Sequence, residues 1–218
     1  YCDIPSLAEG KWRSRSAAHV LGEMQELSDQ GYRSIYLTDD HFLLKKQRIA
    51  DICNGIIDRK LQFHWGCEGR VDSMGIEALP LMGRARCDML AYGVESGTQK
   101  MLDRLGKRQK LEQIELAVGE AKRNGIARVH GFFVIGCPGE TAEDIHETFR
   151  FAARLPLDTF GFNRLAVYRG TPLWNDYASR GIVDDDRDWD KTFKCCDIDP
   201  DTVPNDEVNA LRMKGYAS

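Results

Sequence analysis

Apolar positions along this chain follow two alternating periods. Val20, Leu21, Met24 and Leu27 lie on one helical face after Ser14-Arg15-Ser16, and Gly31 stops that helix. Residues 34–38 then form a short apolar run of strand length. Ile49, Ile52 and Ile56 return to helical spacing, and 62–66 is the next strand. A weaker helix is predicted at 74–85 and a third strand at 88–93. Two helical stretches follow, at 98–104 and on the face of Leu111, Ile114, Val118 and Ala121, the latter ending at Asn124-Gly125. Residues 128–135 read as the fourth strand. Thr141-Ala-Glu-Asp144 opens a helix as a capping box ahead of Ile145, Phe149 and Ala152, and 159–167 reads as the fifth strand. Near-continuous apolar strands alternating with amphipathic helices imply a parallel sheet covered by helices, an α/β fold of five strand–helix units. Periodicity leaves open whether that sheet is doubly wound or part of a barrel. After about residue 180 the rhythm stops, and 181–218 is expected to be an irregular extension with a short helix near 205–214.

Composition narrows the class. The chain has 218 residues, 42% hydrophobic and 29% charged, with a net charge of −4. No basic stripe offers itself to a phosphate backbone, so nucleic-acid binding is not indicated. The acidic run Asp184, Asp185, Asp186, Asp188, Asp190 reads as a solvated loop. No apolar stretch reaches membrane-spanning length. Seven cysteines, an odd number without a Cys-x-x-Cys pair, fit reduced thiols in a cytoplasmic protein better than a disulfide scaffold. Cys195-Cys196 reads as incidental.

In parallel α/β folds, sites form at the carboxyl ends of strands. Each of those ends carries a polar or glycine-rich cluster: Thr38-Asp39-Asp40-His41-Phe42, then Gly66 through Asp72, Gly93-Val94-Glu95-Ser96-Gly97, Gly136-Cys137-Pro138-Gly139-Glu140-Thr141, and Tyr168-Arg169-Gly170-Thr171-Pro172. Taken singly, each has a structural explanation. Asp39 and Asp40 suit a helix cap, Glu95-Ser96 suits a capping pair for 98–104, Thr141 suits an N-cap, Arg70 suits a surface ion pair, and Gly136 to Gly139 is a tight turn. Five such clusters on one rim argue for a common ligand.

Together these segments resemble the radical S-adenosylmethionine superfamily, and within it the branch of cobalamin-binding members such as the anaerobic oxidative cyclase acting on magnesium-protoporphyrin IX monomethyl ester. The carriers are Tyr-Leu-Thr-Asp-Asp-His-Phe (36–42), Gly-Arg-Val-Asp (69–72), Tyr-Gly-Val-Glu-Ser-Gly-Thr-Gln-Lys-Met-Leu (92–102), Gly-Cys-Pro-Gly-Glu-Thr (136–141) and Arg-Gly-Thr-Pro-Leu (169–173), in the family's order. The resemblance implies a partial (β/α)6 TIM-like barrel over residues 1–180. Its first strand is missing from this chain, and its cluster loop Cys-x3-Cys-x2-Cys is represented only by Tyr1-Cys2. It implies a 4Fe–4S cluster with Cys2 as the last ligand, and Tyr1 beside the adenine. It implies S-adenosylmethionine held by Asp39 or Asp40 at the amino group, Arg70 at the carboxylate, Glu95 and Ser96 at the ribose and Ile135 at the adenine. The activity implied is reductive cleavage of S-adenosylmethionine to a 5′-deoxyadenosyl radical that abstracts hydrogen, with a flavodoxin or ferredoxin as electron donor, and with cobalamin in the longer parent. No catalytic residue is assigned within this chain. One thiolate cannot hold such a cluster, so the chain alone is expected to be inactive. The substrate class, small molecule or macromolecule, is not legible.

Two other functions fit the residues. His41, His64 and His130 with Asp39 are candidate zinc ligands of a barrel hydrolase, although no His-x-His or His-Glu-x-x-His spacing is present. A barrel that kept its frame and lost its chemistry would be a binding scaffold. The residues preceding Tyr1 separate these readings.

Overall fold

The computed structural model describes residues 11–73, 77–188 and 203–216. Ser16 opens the first helix, α1 (Ala17–Asp29), by accepting from the His19 amide at 3.2 Å. Val20, Leu21 and Met24 turn inward, and Gly31, at φ +91°, ends the helix. The chain then alternates β1 (Ser34–Leu37), a 3-10 turn (Phe42–Leu44), α2 (Lys46–Asp58), β2 (His64–Gly69), α3 (Leu79–Arg84), β3 (Cys87–Glu95), α4 (Gln99–Arg104), α5 (Leu111–Arg123), β4 (Arg128–Ile135), α6 (Ala142–Arg154) and β5 (Thr159–Arg164). The short helices α7 (Pro172–Ser179) and α8 (Asp185–Asp188) follow, and α9 (Asn205–Gly215) closes the described chain.

All strand pairs are parallel, and the order is β1-β2-β3-β4-β5. That order resolves the ambiguity left by periodicity. A doubly wound sheet reverses its strand order at a switch point, and none occurs among the described residues. The winding runs one way, as in a partial TIM-like barrel, and the helices collect on one face.

Alternation along each strand sorts the side chains. Ile35, Leu37, Trp65, Cys67, Leu90, Tyr92, Val94, Val129, Phe133, Ile135 and Phe162 join the helices in one core. Trp65 is fully buried, its ring edge-on to Phe42 at 5.5 Å and its Nε1 donating to Ala85 O at 2.8 Å. Tyr36, Glu68, Met89, His130, Phe132 and Val134 alternate onto the opposite face, where they stay partly or largely accessible. The helix α9 packs into the same core through Val208 and Leu211. Gly215 abuts the Phe149 ring, and the Tyr216 hydroxyl accepts from the Phe162 amide of β5 at 2.8 Å.

Four elements differ in their boundaries from the sequence reading. The strand β2 runs on to Gly69 instead of stopping at Gly66, because Glu68 is a strand residue on the open face, where it accepts from Tyr36 Oη at 3.2 Å. The strand β3 extends to Glu95, and β5 stops at Arg164 instead of continuing to residue 167. The predicted 74–85 helix is confined to Leu79–Arg84 within the described residues. Among the described residues, no helix is long and apolar enough to cross a membrane.

Candidate functional site at the carboxyl ends of the strands

Parallel strands deliver Asp39, Arg70, Glu95 and Gly136 to one end of the sheet, since each lies at the last residue of its strand or just beyond it. The capping explanation for the first acidic pair fails: α2 begins after Lys45, without a side-chain cap. Asp39 instead pairs with Arg48, Oδ2 to Nη1 at 2.9 Å. Arg48 is itself buried, donates Nε to Arg15 O at 3.0 Å and lies over the Phe42 ring. Asp40 is exposed. The outer side of β1 borders a cavity of about 590 Å³ whose lining includes Tyr36, Thr38, Asp39 and Arg48.

Arg70 leaves the end of β2 and grips Asp72 with two hydrogen bonds, 2.9 and 2.7 Å, while its Nη2 also donates to Lys107 O at 2.6 Å. Burial alone would raise the Asp72 carboxyl, but the Arg70 hydrogen bond and charge outweigh it and hold it below the usual value. His41 belongs to the same group. Its Nδ1 is buried with no hydrogen-bond partner among the described residues. Burial, together with the charges of Arg70 and Lys107, lowers the imidazole below its ordinary pKa, against the opposing charge of Asp72.

At the end of β3 the ladder to β4 shifts register between Gly93 and Glu95. Glu95 takes φ +72°, a left-handed backbone uncommon for a non-glycine residue. Its carboxylate pairs with Lys107 Nζ at 2.5 Å, and both side chains are only 9% exposed. Two buried charges with a strained backbone at a strand end make Glu95 a candidate functional position. Ser96 was expected beside Glu95 at a ribose. The structure places it fully buried, its hydroxyl at 3.2 Å from Thr148 Oγ1 and accepting from Thr98 N at 3.2 Å, so it secures the β3–α4 turn. Thr98, not the Glu95-Ser96 pair, caps α4. Ile135 was expected beside the adenine. It is fully buried in the main core, on the helix-covered side, because strand alternation places it with Val129 and Phe133.

Beyond Ile135, Gly136 and Gly139 adopt φ +77° and +74° and turn the chain back. Glu140 is fully buried inside that turn, where its Oε2 accepts from Cys137 N at 2.9 Å. Burial raises its carboxyl to about 7, against the lowering effect of the Cys137 and Gly136 amides. Thr141 caps α6 with the reciprocal bond from Asp144 that the sequence predicted. At the fifth loop, Arg169 turns towards Asp185 at 2.8 Å, and Trp174 Nε1 donates to the same carboxylate.

The structure thus joins Arg70 and Glu95 through Lys107 at the carboxyl ends of the strands, with His41 close enough to feel the Arg70 and Lys107 charges and Asp39 just beyond the end of β1. Tyr1 and Cys2 lie outside the described residues, as do Cys195 and Cys196. Lys107 was missed by the sequence reading because it lies in Gly-Lys-Arg-Gln-Lys, which looks like a solvated loop. The available signal was Leu105-Gly106, a helix end that folds the chain back, with Gly106 at φ +67°. The zinc alternative fails on placement. His41 follows the end of β1, whereas His64 is the first residue of β2, at the opposite end, and His130 Nδ1 is at 2.7 Å from Thr159 Oγ1. Among the described residues, no group of three metal-ligating side chains converges.

The residues present fit S-adenosylmethionine. Arg70 is a cation for a carboxylate, Asp39 and Asp40 are acceptors for an amino group, Glu95 is an acceptor for hydroxyls, and the orphan His41 Nδ1 lies among them. They do not by themselves fit an iron–sulfur cluster. Cys53, Cys67, Cys87 and Cys137 are buried free thiols. Burial pushes the Cys53 thiol up to about 12 and raises Cys67 and Cys137 as well.

Comparison with known proteins identifies the family and the fold. Residues 1–152 match the family model described as the radical SAM superfamily. The chain is 32% identical over 219 residues to an uncharacterized methyltransferase of Pyrococcus horikoshii, covering 98% of this chain and 47% of that protein. It is 26% identical over 209 residues to the anaerobic magnesium-protoporphyrin IX monomethyl ester cyclase of Rubrivivax gelatinosus, covering 94% of this chain and 37% of that one. The fold superposes with TM-score 0.70 on the radical S-adenosylmethionine methyltransferase TsrM from Kitasatospora setae, solved with cobalamin and a [4Fe–4S] cluster bound. That match has 21% identity and covers 77% of this chain and 34% of that one. The chain therefore spans less than half the length of these relatives. With the winding and the family model in agreement, the chain belongs to the radical SAM superfamily, whose cofactors are a 4Fe–4S cluster and S-adenosylmethionine.

Proposed function

We propose that this chain is the core of a cobalamin-linked radical SAM methyltransferase, and that the mouth built from Asp39, Asp40, Arg70 and Glu95 binds S-adenosylmethionine. The observation that supports the reading is the Arg70–Lys107–Glu95 connection, which brings together a cation suited to the cofactor's carboxylate and an acceptor suited to its ribose. Asp39 is the better candidate for the amino group, because Arg48 fixes one of its oxygens and leaves the other to accept. Ser96 and Ile135 serve this reading by shaping the ends of β3 and β4. Cys2, with two further thiolates from the preceding segment, would hold the cluster. The outer side of β1, bordered by a cavity, offers room for the additional parallel strand that such a segment would supply. When bound, the cluster and S-adenosylmethionine supply reductive carbon–sulfur cleavage to a 5′-deoxyadenosyl radical, and cobalamin supplies a methyl carrier. The protein's part is to orient the cofactor and keep water from the recess. Methyl transfer is favoured over cyclisation by the names of the Pyrococcus relative and of the Kitasatospora structural neighbour. A flavodoxin or ferredoxin as electron donor and a cytoplasmic location belong to the same proposal.

The test is anaerobic iron–sulfur reconstitution of the full-length protein, followed by reduction with S-adenosylmethionine present. A 4Fe–4S chromophore and release of 5′-deoxyadenosine or S-adenosylhomocysteine are expected. A fully loaded, reduced protein that releases neither would refute the reading.

A further inference from the structure

Arg70 and Glu95 come from different strands, yet one residue on the loop between α4 and α5 touches both. Lys107 accepts from Arg70 Nη2 through its carbonyl at 2.6 Å and reaches Glu95 Oε1 with its ammonium at 2.5 Å. The ion pair lies across Gly93: a Cβ built there would stand 2.7 Å from Glu95 Oε1 and 3.0 Å from Lys107 Nζ. Gln109, two residues further on and fully buried, fastens the same loop to the same strand by donating to Val94 O at 2.9 Å and Gly93 O at 3.3 Å. The loop is therefore fixed to the end of β3 at three points. Glu95 has left regular strand geometry, at φ +72°, and its carboxylate lies over Gly93. A buried carboxylate on a strained backbone swings out or loses its place unless a counter-charge holds it.

We propose that Lys107 is a positioning residue of the mouth. It pins one oxygen of Glu95 against Gly93, leaves the other for a ribose hydroxyl, and acts on the cofactor through Glu95 instead of by a contact of its own. The inference rests on reading this mouth as the S-adenosylmethionine site. It adds a residue that lies in none of the motifs carrying the family resemblance.

A double-mutant cycle in the full-length, anaerobically reconstituted protein tests it, with S-adenosylmethionine affinity measured by calorimetry and folding checked by circular dichroism. Lys107→Met and Glu95→Gln should each weaken binding about tenfold, the double variant no more than the worse single one, and Lys107→Arg should return to within about threefold of wild type. If Lys107→Met misfolds, the double variant, which leaves no lone buried charge, is compared with Glu95→Gln alone, and equal affinity is expected. Losses that multiply in the double variant would overturn the proposal by showing that Lys107 meets the ligand directly. Wild-type affinity in Lys107→Met or in Glu95→Gln would overturn it too. A wild-type protein that carries its cluster and yet binds no S-adenosylmethionine would instead sink the reading of the mouth itself, and the inference with it.

Discussion

On the helix-covered face of the sheet, Trp65, Cys67, Leu90, Tyr92, Val129 and Phe133 are buried in the main hydrophobic core with the helices. One residue further along the same strands, Gly66, Glu68, Ala91, His130 and Phe132 form the other face, where a carboxylate, an imidazole and the Tyr36 phenol stay within reach of solvent. The backbone is shared, so the difference lies in what covers each face. The covered side stores stability and tolerates little change. The open side carries polar groups that stabilise almost nothing and are available for chemistry. The mouth lies where the two faces meet at the strand ends, and there the protein buries a Glu–Lys pair that neither face would otherwise hold.

This contrast is open to measurement. Trp65→Ala, on the covered face, removes a fully buried ring and the Nε1 bond to Ala85, and should cost about 3–5 kcal/mol in urea denaturation. A loss below about 1 kcal/mol would show that the covered face is not the principal core. The next effect concerns the carboxylate buried in the turn between β4 and α6. Glu140 has its pKa raised to about 7 in the folded state, so the fold binds that proton more tightly than the unfolded chain does. Its contribution is full below the unfolded value, near 4.5, and is lost as pH rises through about 7. The stability difference between wild type and Glu140→Gln should therefore fall by on the order of 3 kcal/mol between about pH 4.5 and 8. Melting temperatures across that range provide the check, and a difference that does not change with pH would contradict the burial of this carboxyl. The smallest effect belongs to the open face. Tyr36→Phe deletes the bond to Glu68 but leaves both side chains accessible to water, and should cost less than about 1 kcal/mol in the same urea experiment. A loss as large as that of Trp65→Ala would mean that the open face is closed in solution.

Much of the frame was legible along the chain. The capping box at Thr141, the helical face of Val20, Leu21 and Met24, and the span of β4 follow from local rules that tertiary contacts did not override. The end of β2 was not legible, because Glu68 mimics a loop residue until its strand is known to have an open face. Glu95 was legible as a candidate. Its partner was not, since Lys107 stands 12 residues on, in a segment whose charges suggest a solvated loop. Ser96 and Ile135 were placed by motif, and the structure uses both for packing.

The sequence by itself determined the alternation of strands and helices, and therefore which end of the sheet would gather polar residues. Periodicity records, one residue at a time, whether a side chain faces water, and that suffices to define elements. Tertiary structure alone decided that the strands wind one way, that Asp39 is held by Arg48, and that Arg70 and Glu95 meet at Lys107. Those outcomes depend on the path of loops between distant positions, and no local pattern of burial encodes that path.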